Sequence, residues 1–315
     1  MALHRYLPAV ARHGRAGGAH GFAGDDGHDD LSRIALARLV LEPHAVEGGH
    51  DLIADLAAEN LMDRWFYIRY ADPFPHLRLR VRGTELARTL TRVTEWGRSL
   101  VDLGLARDIE LAGYAPEIAR YGGPDVFDAV EQLFRANSEA TARLLSRRLD
   151  LRPEFLGVAT LDTLHAQWGV DLTPYAEHGA DPDGAHVRDT RALFRAHRDY
   201  LCELLSPWDR QPHEEGRAHR LLFQETFAAQ APAVAQTAEA VRAAAREGVL
   251  VGCEDQVLAS LAHMQINRLL PIDLDREGRS HALWAHVRRA VRGREAAVGA
   301  PPGVAGPSGL GEERR

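Results

Sequence analysis

The spacing of apolar and polar residues changes character once along the chain. Up to about residue 121, short alternating runs are interleaved with amphipathic stretches. That pattern predicts a strand over 34–41, a helix over 51–60, strands over 65–70 and 76–82, a helix over 84–104 and a strand over 107–114. From residue 124 the period is helical, and helices are expected over 124–147, 154–168, 187–205, 214–247, 253–270 and 276–292. Pro124 and Asp125 suit the first turn of the first of these, and Pro232 should break 214–247 into two. The DPFP run at 72–75 predicts a turn that makes the strands over 65–70 and 76–82 an antiparallel hairpin. Strands grouped first and helices after them define an α+β fold, with a mostly antiparallel sheet in the N-terminal half packed with a helix-rich C-terminal half. We take 34–293 as one domain, 1–33 as a flexible segment rich in Gly, His and Asp, and the Gly/Pro/Ala-rich 294–315 as a disordered tail.

Three stretches carry polar groups that the pattern alone does not need. In HLRLRVR, residues 76–82, Leu77, Leu79 and Val81 face one way, while Arg78, Arg80 and Arg82, headed by His76, face the other. Trp65, Phe66, Tyr67 and Phe74 lie nearby in sequence, and arginine forks suit carboxylates or phosphates bidentately; the plain alternative is a solvated edge-strand face. In YAPEIARYGG, residues 114–123, Glu117 and Arg120 lie three apart and share a face on a short helical turn, or else form an exposed loop ion pair. In EDQVLASLAHMQINRLL, residues 254–270, Val257, Leu258, Leu261, Met264, Leu269 and Leu270 bury much of a helix. Gln256, Ser260, His263 and Asn267 form one polar stripe on it. A histidine there is either satisfied by its neighbours in the core or is a general acid or base.

Composition narrows the chemistry. A net charge of −7 gives no pull toward nucleic acid or an anionic membrane. No apolar run approaches the roughly 18 residues of a membrane span, and the N-terminus has no apolar core of a secretory signal. Cys202 and Cys253 form no metal or disulfide pattern, which fits a reducing cytoplasm. All 38 basic residues are arginine, so Schiff-base chemistry, a pyridoxal-phosphate anchor and a Walker-type phosphate lysine are excluded. His20, His28 and their neighbouring aspartates could catch a metal but have no recognised ligand spacing. No nucleophile, zinc or dinucleotide motif occurs. Chemistry by arginines, a carboxylate or two and a histidine, without cofactor, suits proton abstraction with stabilisation of an anion.

These three segments, in this order, resemble the C-terminal elimination domain of lantibiotic dehydratases, found also as the thiopeptide-type bacteriocin biosynthesis domain. The matching parts are the aromatic-IRY-DP--HLRLR hairpin at Trp65–Arg80, Y--E--RYGG at Tyr114–Gly123, and H---NRL at His263–Leu269, within a likeness over roughly 50–295. In such systems a partner uses glutamyl-tRNA to esterify Ser or Thr of a precursor peptide. The elimination domain then removes the α-proton and expels glutamate, leaving dehydroalanine or dehydrobutyrine. The resemblance implies catalytic roles for Arg78, Arg80, Arg120 and His263, and substrate binding by His76, Tyr114, Glu117, Asn267 and Arg268. It implies a glutamylated precursor peptide as substrate and a separate tRNA-dependent glutamylation protein as partner. It implies no cofactor, no direct nucleic-acid or membrane contact, and it leaves room for a homodimer. The chain is expected to be the free-standing half of a split dehydratase. Which of His263, Glu117 and Tyr114 is base and which acid stays open. So do two other readings: a thiopeptide pyridine synthase, which performs a formal 4+2 cycloaddition and has lost most of the arginine and histidine set kept here, and a non-catalytic precursor-binding subunit.

Overall fold

In the computed structural model of the chain, residues 34–41, 49–71, 75–173, 186–207, 212–270 and 273–299 are described, with backbone alone for 34–51, 187 and 297–299. The expected flexible segment before 34 with His20 and His28, Phe74 and most of the DPFP turn, and the tail from 300 onward lie outside the described residues.

Four strands form one antiparallel sheet: β1 (Ile34–Leu41), β2 (Met62–Tyr70), β3 (His76–Gly83) and β4 (Ala106–Ala112), in the order β2-β3-β1-β4. Two helices belong to this half, α1 (Gly49–Ala58) and α2 (Leu86–Asp102). Eight follow: α3 (Pro124–Ser146), α4 (Pro153–Trp168), α5 (Val187–Ala196), α6 (Arg198–Leu205), α7 (Glu214–Ala228), α8 (Ala231–Glu247), α9 (Glu254–Leu269) and α10 (Leu274–Gly299). The α+β architecture with a helix-rich second half is the one expected.

The alternation in β3 separates two cores. Leu77, Leu79 and Val81 join Trp65 and Tyr67 of β2 and pack with Leu52, Leu56 and Val93 of α1 and α2 in a small core. The opposite face of β2 turns Phe66 and Ile68 into the main core, among Phe134, Leu258, Leu261 and Trp284 of the helical layer. The arginines therefore do not lie on an outer solvated face. They lie between sheet and helices, and Arg78 and Arg80 are half-buried.

Among the boundaries that differ from the pattern, three stand out. The helix expected over 187–205 breaks at His197 (φ −126°, ψ 23°) into α5 and α6, with no Pro or Gly to signal it. The last strand ends at Ala112, before Gly113. The final helix continues to Gly299, six residues into the stretch assigned to the tail. The break near Pro232 falls where expected, with that proline in the first turn of α8. Gly122 and Gly123 adopt φ of 99° and 101°, which a side chain rarely tolerates, and turn the chain into α3.

Helices α4 and α10 pack tightly at Gly157, where an added Cβ would stand 2.6 Å from the Ser280 Cβ. Gly157→Ala is therefore expected to destabilise the fold by about 1–3 kcal/mol, read as a lower urea midpoint with an unchanged slope.

Candidate active site

Pairing of β2 with β3 sets Tyr70 opposite His76, Ile68 opposite Arg78 and Phe66 opposite Arg80. The guanidinium of Arg78 lies 3.6 Å from the centre of the Tyr70 ring, and its Nε donates to Nε2 of the buried His76 at 3.2 Å. Tyr70 in turn stacks on His76 with centroids 5.4 Å apart. The guanidinium of Arg80 lies 5.2 Å from the Phe66 ring and 4.8 Å from the Tyr114 ring, and its buried Nε has no hydrogen-bond partner among the described residues. Neither arginine forms an ion pair among the described residues. Aromatic faces attract these cations but leave their N–H forks available for an anion. Arg82, the third of the series, bonds Asp63 at 2.8 Å and stands apart from this arrangement.

The YAPEIARYGG stretch supplies a second wall. Tyr114 donates its hydroxyl to Glu131 at 3.0 Å, and Glu131 is held by Arg64 at 3.1 Å. Burial and the neighbouring Glu131 raise the Tyr114 phenol far above its ordinary range, so it stays protonated. Arg120 sits on a single 3-10 turn, Ile118–Tyr121, and bonds the exposed Glu117 at 2.9 Å. Its guanidinium lies 5.5 Å from the Tyr121 ring, and its Nε is also buried without a partner among the described residues. Tyr121 is 4% exposed; burial pushes its phenol up to about 12 against the charges of Arg120, Arg268 and Arg80.

Helix α9 brings the histidine. Its first turn is closed by a capping box between Cys253 and Gln256, with Glu254 and Asp255 at the favourable end. Nδ1 of His263 lies 3.0 and 2.9 Å from the two carboxylate oxygens of Glu277 on α10. Burial would raise the Glu277 carboxyl, but the His263 hydrogen bond and charge, with His281 and Arg120, hold it below the usual carboxylate range. Both residues line a cleft with Ile266, Asn267, Asp273 and Arg276. Arg120, one of the arginines of the other wall, is thus felt by the carboxylate that holds His263.

Asn267 and Arg268 serve the sheet. As an edge strand, β2 exposes a row of unpaired backbone groups. The Asn267 amide accepts from Arg69 N–H at 2.9 Å and donates to Arg69 C=O at 3.0 Å, much as another strand would. Arg268, 1% exposed, donates to Tyr67 C=O at 2.9 Å and to Asn137 Oδ1 at 3.1 Å, with its guanidinium 4.5 Å from the Phe134 ring. These bonds lock the histidine helix onto the arginine hairpin. Of the residues singled out from sequence, His263 and Asn267 line the cleft; His76, Arg78 and Arg80 share one face of β3, where Tyr114 lies against Arg80, and Arg120 bonds the exposed Glu117. Glu277, Glu131, Tyr70 and Tyr121 were not singled out.

Among the described residues no cluster of three or more His, Cys, Asp or Glu side chains could hold a metal, and no helix is long and apolar enough to cross a membrane.

The sheet carries Arg78 and Arg80 on the face turned to the helices, and helix α9 carries a histidine held by a carboxylate. The family described as lantibiotic biosynthesis dehydratase C-term matches residues 44–288, and the chain belongs to that family. It is 25% identical over 241 residues to the subtilin biosynthesis protein SpaB of Bacillus subtilis, covering 73% of this chain and 22% of that protein. The chain thus spans about a fifth of this much longer relative. In three dimensions it resembles the tRNA-dependent lantibiotic dehydratase MibB from Microbispora sp. 107891 (TM-score 0.65, 24% identity, 90% of this chain and 29% of that one). It also resembles the pyridine synthase TbtD from thiomuracin biosynthesis (TM-score 0.57, 15% identity, 82% of this chain and 99% of that one). Both likenesses are of fold.

Proposed function

We propose that the chain is a lyase that eliminates glutamate from glutamylated Ser or Thr of a ribosomal precursor peptide in the cytoplasm, forming dehydroalanine or dehydrobutyrine. One observation carries the reading: Arg78 and Arg80 form no ion pair among the described residues, on a half-buried strand face. An uncompensated guanidinium away from water is costly unless a ligand supplies the counter-charge. A glutamyl ester brings an α-carboxylate and, as it departs, a second carboxylate, which suits two adjacent forks.

The step proceeds as a β-elimination. A base removes the Cα proton, its electron pair forms the Cα=Cβ bond, and the Cβ–O bond breaks to release glutamate as its γ-carboxylate. Tyr114, held protonated on Glu131, is unsuited to be the base. Glu117 is exposed and engaged by Arg120. His263 is left as the base. Arg120 or Arg80 stabilises the enolate-like charge, and the charge growing on the leaving carboxylate falls to Arg78 and its neighbour. The substrate would come from a separate glutamylation protein, with which at least a transient, peptide-bridged association is expected.

The decisive experiment incubates the purified chain with a glutamylated peptide and follows loss of glutamate by mass. Persistence of the glutamyl ester would overturn the reading; fusion of two dehydroalanines in a dehydrated, azole-bearing peptide would replace it with pyridine synthesis. Arg78→Lys keeps the charge but removes the fork and the planar stack on Tyr70. Losing one or two charge-assisted bonds should cost about 10- to 100-fold in kcat/KM, measured with the preformed glutamyl peptide.

A further inference from the structure

We infer that Glu277 is a positioning residue: it fixes His263 in the Nδ1–H tautomer and turns the bare Nε2 toward the cleft. The inference deepens the elimination proposed above, on which it rests for what Nε2 does; the pairing itself does not depend on it.

The geometry leaves little choice. Both carboxylate oxygens lie within 3.0 Å of Nδ1, and an ionised carboxylate can only accept, so that nitrogen must carry the proton. Glu277 is 6% exposed in the first turn of α10, where the helix N-terminus favours negative charge. Other charged or titratable groups around it are His281 on its own helix and Arg120 from the opposite wall, with Asp273 and Arg276 at the cleft. The balance keeps the carboxyl below its usual range and therefore ionised. Nε2 makes no hydrogen bond among the described residues, so its lone pair is available. A carboxylate–imidazole pair of this kind orients a base and stabilises the imidazolium formed when it takes a proton. The plain alternative is an ion pair that only ties α9 to α10. That role needs the same Nδ1 proton but leaves kcat unmoved when Glu277 is replaced in a chain that stays folded, so the kinetic readout separates the two.

The test uses the full chain labelled with 15N-histidine. Long-range proton–nitrogen correlation of neutral His263 should show a protonated Nδ1 and an unprotonated Nε2. In Glu277→Ala, and in the similarly sized but non-accepting Glu277→Met should alanine fail to fold, the proton should shift toward Nε2. With a glutamylated peptide, Glu277→Ala should lower kcat at least about tenfold, within the about 10²–10⁴ that a positioned base supplies, and leave KM little changed. The His263→Ala/Glu277→Ala double variant should be no slower than His263→Ala alone, because a residue acting through another adds nothing once that other is gone. Protonated Nε2 in the parent, an unmoved tautomer in both Glu277 variants, or losses that multiply in the double variant would each overturn the inference. The expected tautomer in a chain that releases no glutamate would sink the elimination reading and leave the pairing in place.

Discussion

Replacing His263 by alanine will slow glutamate release from a preformed glutamyl peptide by about 10²–10⁴ in single-turnover experiments, the usual contribution of a positioned general base. The glutamylated peptide should accumulate when the variant is supplied by an active glutamylation partner. The fold should be largely retained, since the His263 side chain is 18% exposed and its loss removes one hydrogen-bond partner of Glu277 in the first turn of α10. Circular dichroism and a melting curve near that of the parent would establish that chemistry alone is lost. Parent-like rates from a folded His263→Ala protein would mean that the polar stripe on α9 is architecture and the base lies elsewhere.

Replacing Arg268 by alanine should do the reverse. The guanidinium fills space beneath the Phe134 ring and satisfies the carbonyl of Tyr67 and the amide oxygen of Asn137. Burial pulls its own proton affinity down to about 10, still well above neutrality, so the charge persists. Removing it leaves two buried acceptors unmet and opens a cavity, at a cost of roughly 3–5 kcal/mol. Urea denaturation measures this directly. An unchanged midpoint with a raised KM would instead favour the substrate-binding role that the family resemblance implies for Arg268.

These two expectations separate what the amino-acid pattern discloses from what it hides. Alternation in β3 is a local property with a period of two, so the opposition of Leu77, Leu79 and Val81 to Arg78 and Arg80 could be read directly. The stripe through His263 was legible for the same reason, at helical period. Arg82 shared the alternation but not the site, because Asp63 lies across from it. Glu277 was invisible: an acid in the first turn of a helix is ordinary, and nothing local tells that a histidine fourteen residues earlier folds back onto it. That Asn267 and Arg268 also bond the backbone of β2 is not legible in sequence, because which strand forms the edge of the sheet depends on long-range pairing. Only that pairing reveals that β2 needs its edge filled. The division at His197 likewise has no breaker residue to announce it.

Strand β3 acts as a partition wall shared by two rooms. Its odd-numbered residues furnish the small core, and His76, Arg78 and Arg80 face the space proposed for the reaction. Substitutions can therefore tune one room without entering the other: trimming Leu79 should loosen the sheet half while the guanidinium set keeps its chemistry. A frame shift has no such freedom. Sliding the strand by one residue would exchange every occupant at once, putting guanidinium groups into the small core and leucines into the space meant for an anion. Stability and chemistry would then fail together, whereas a slide of two residues would keep each kind of side chain on its own side.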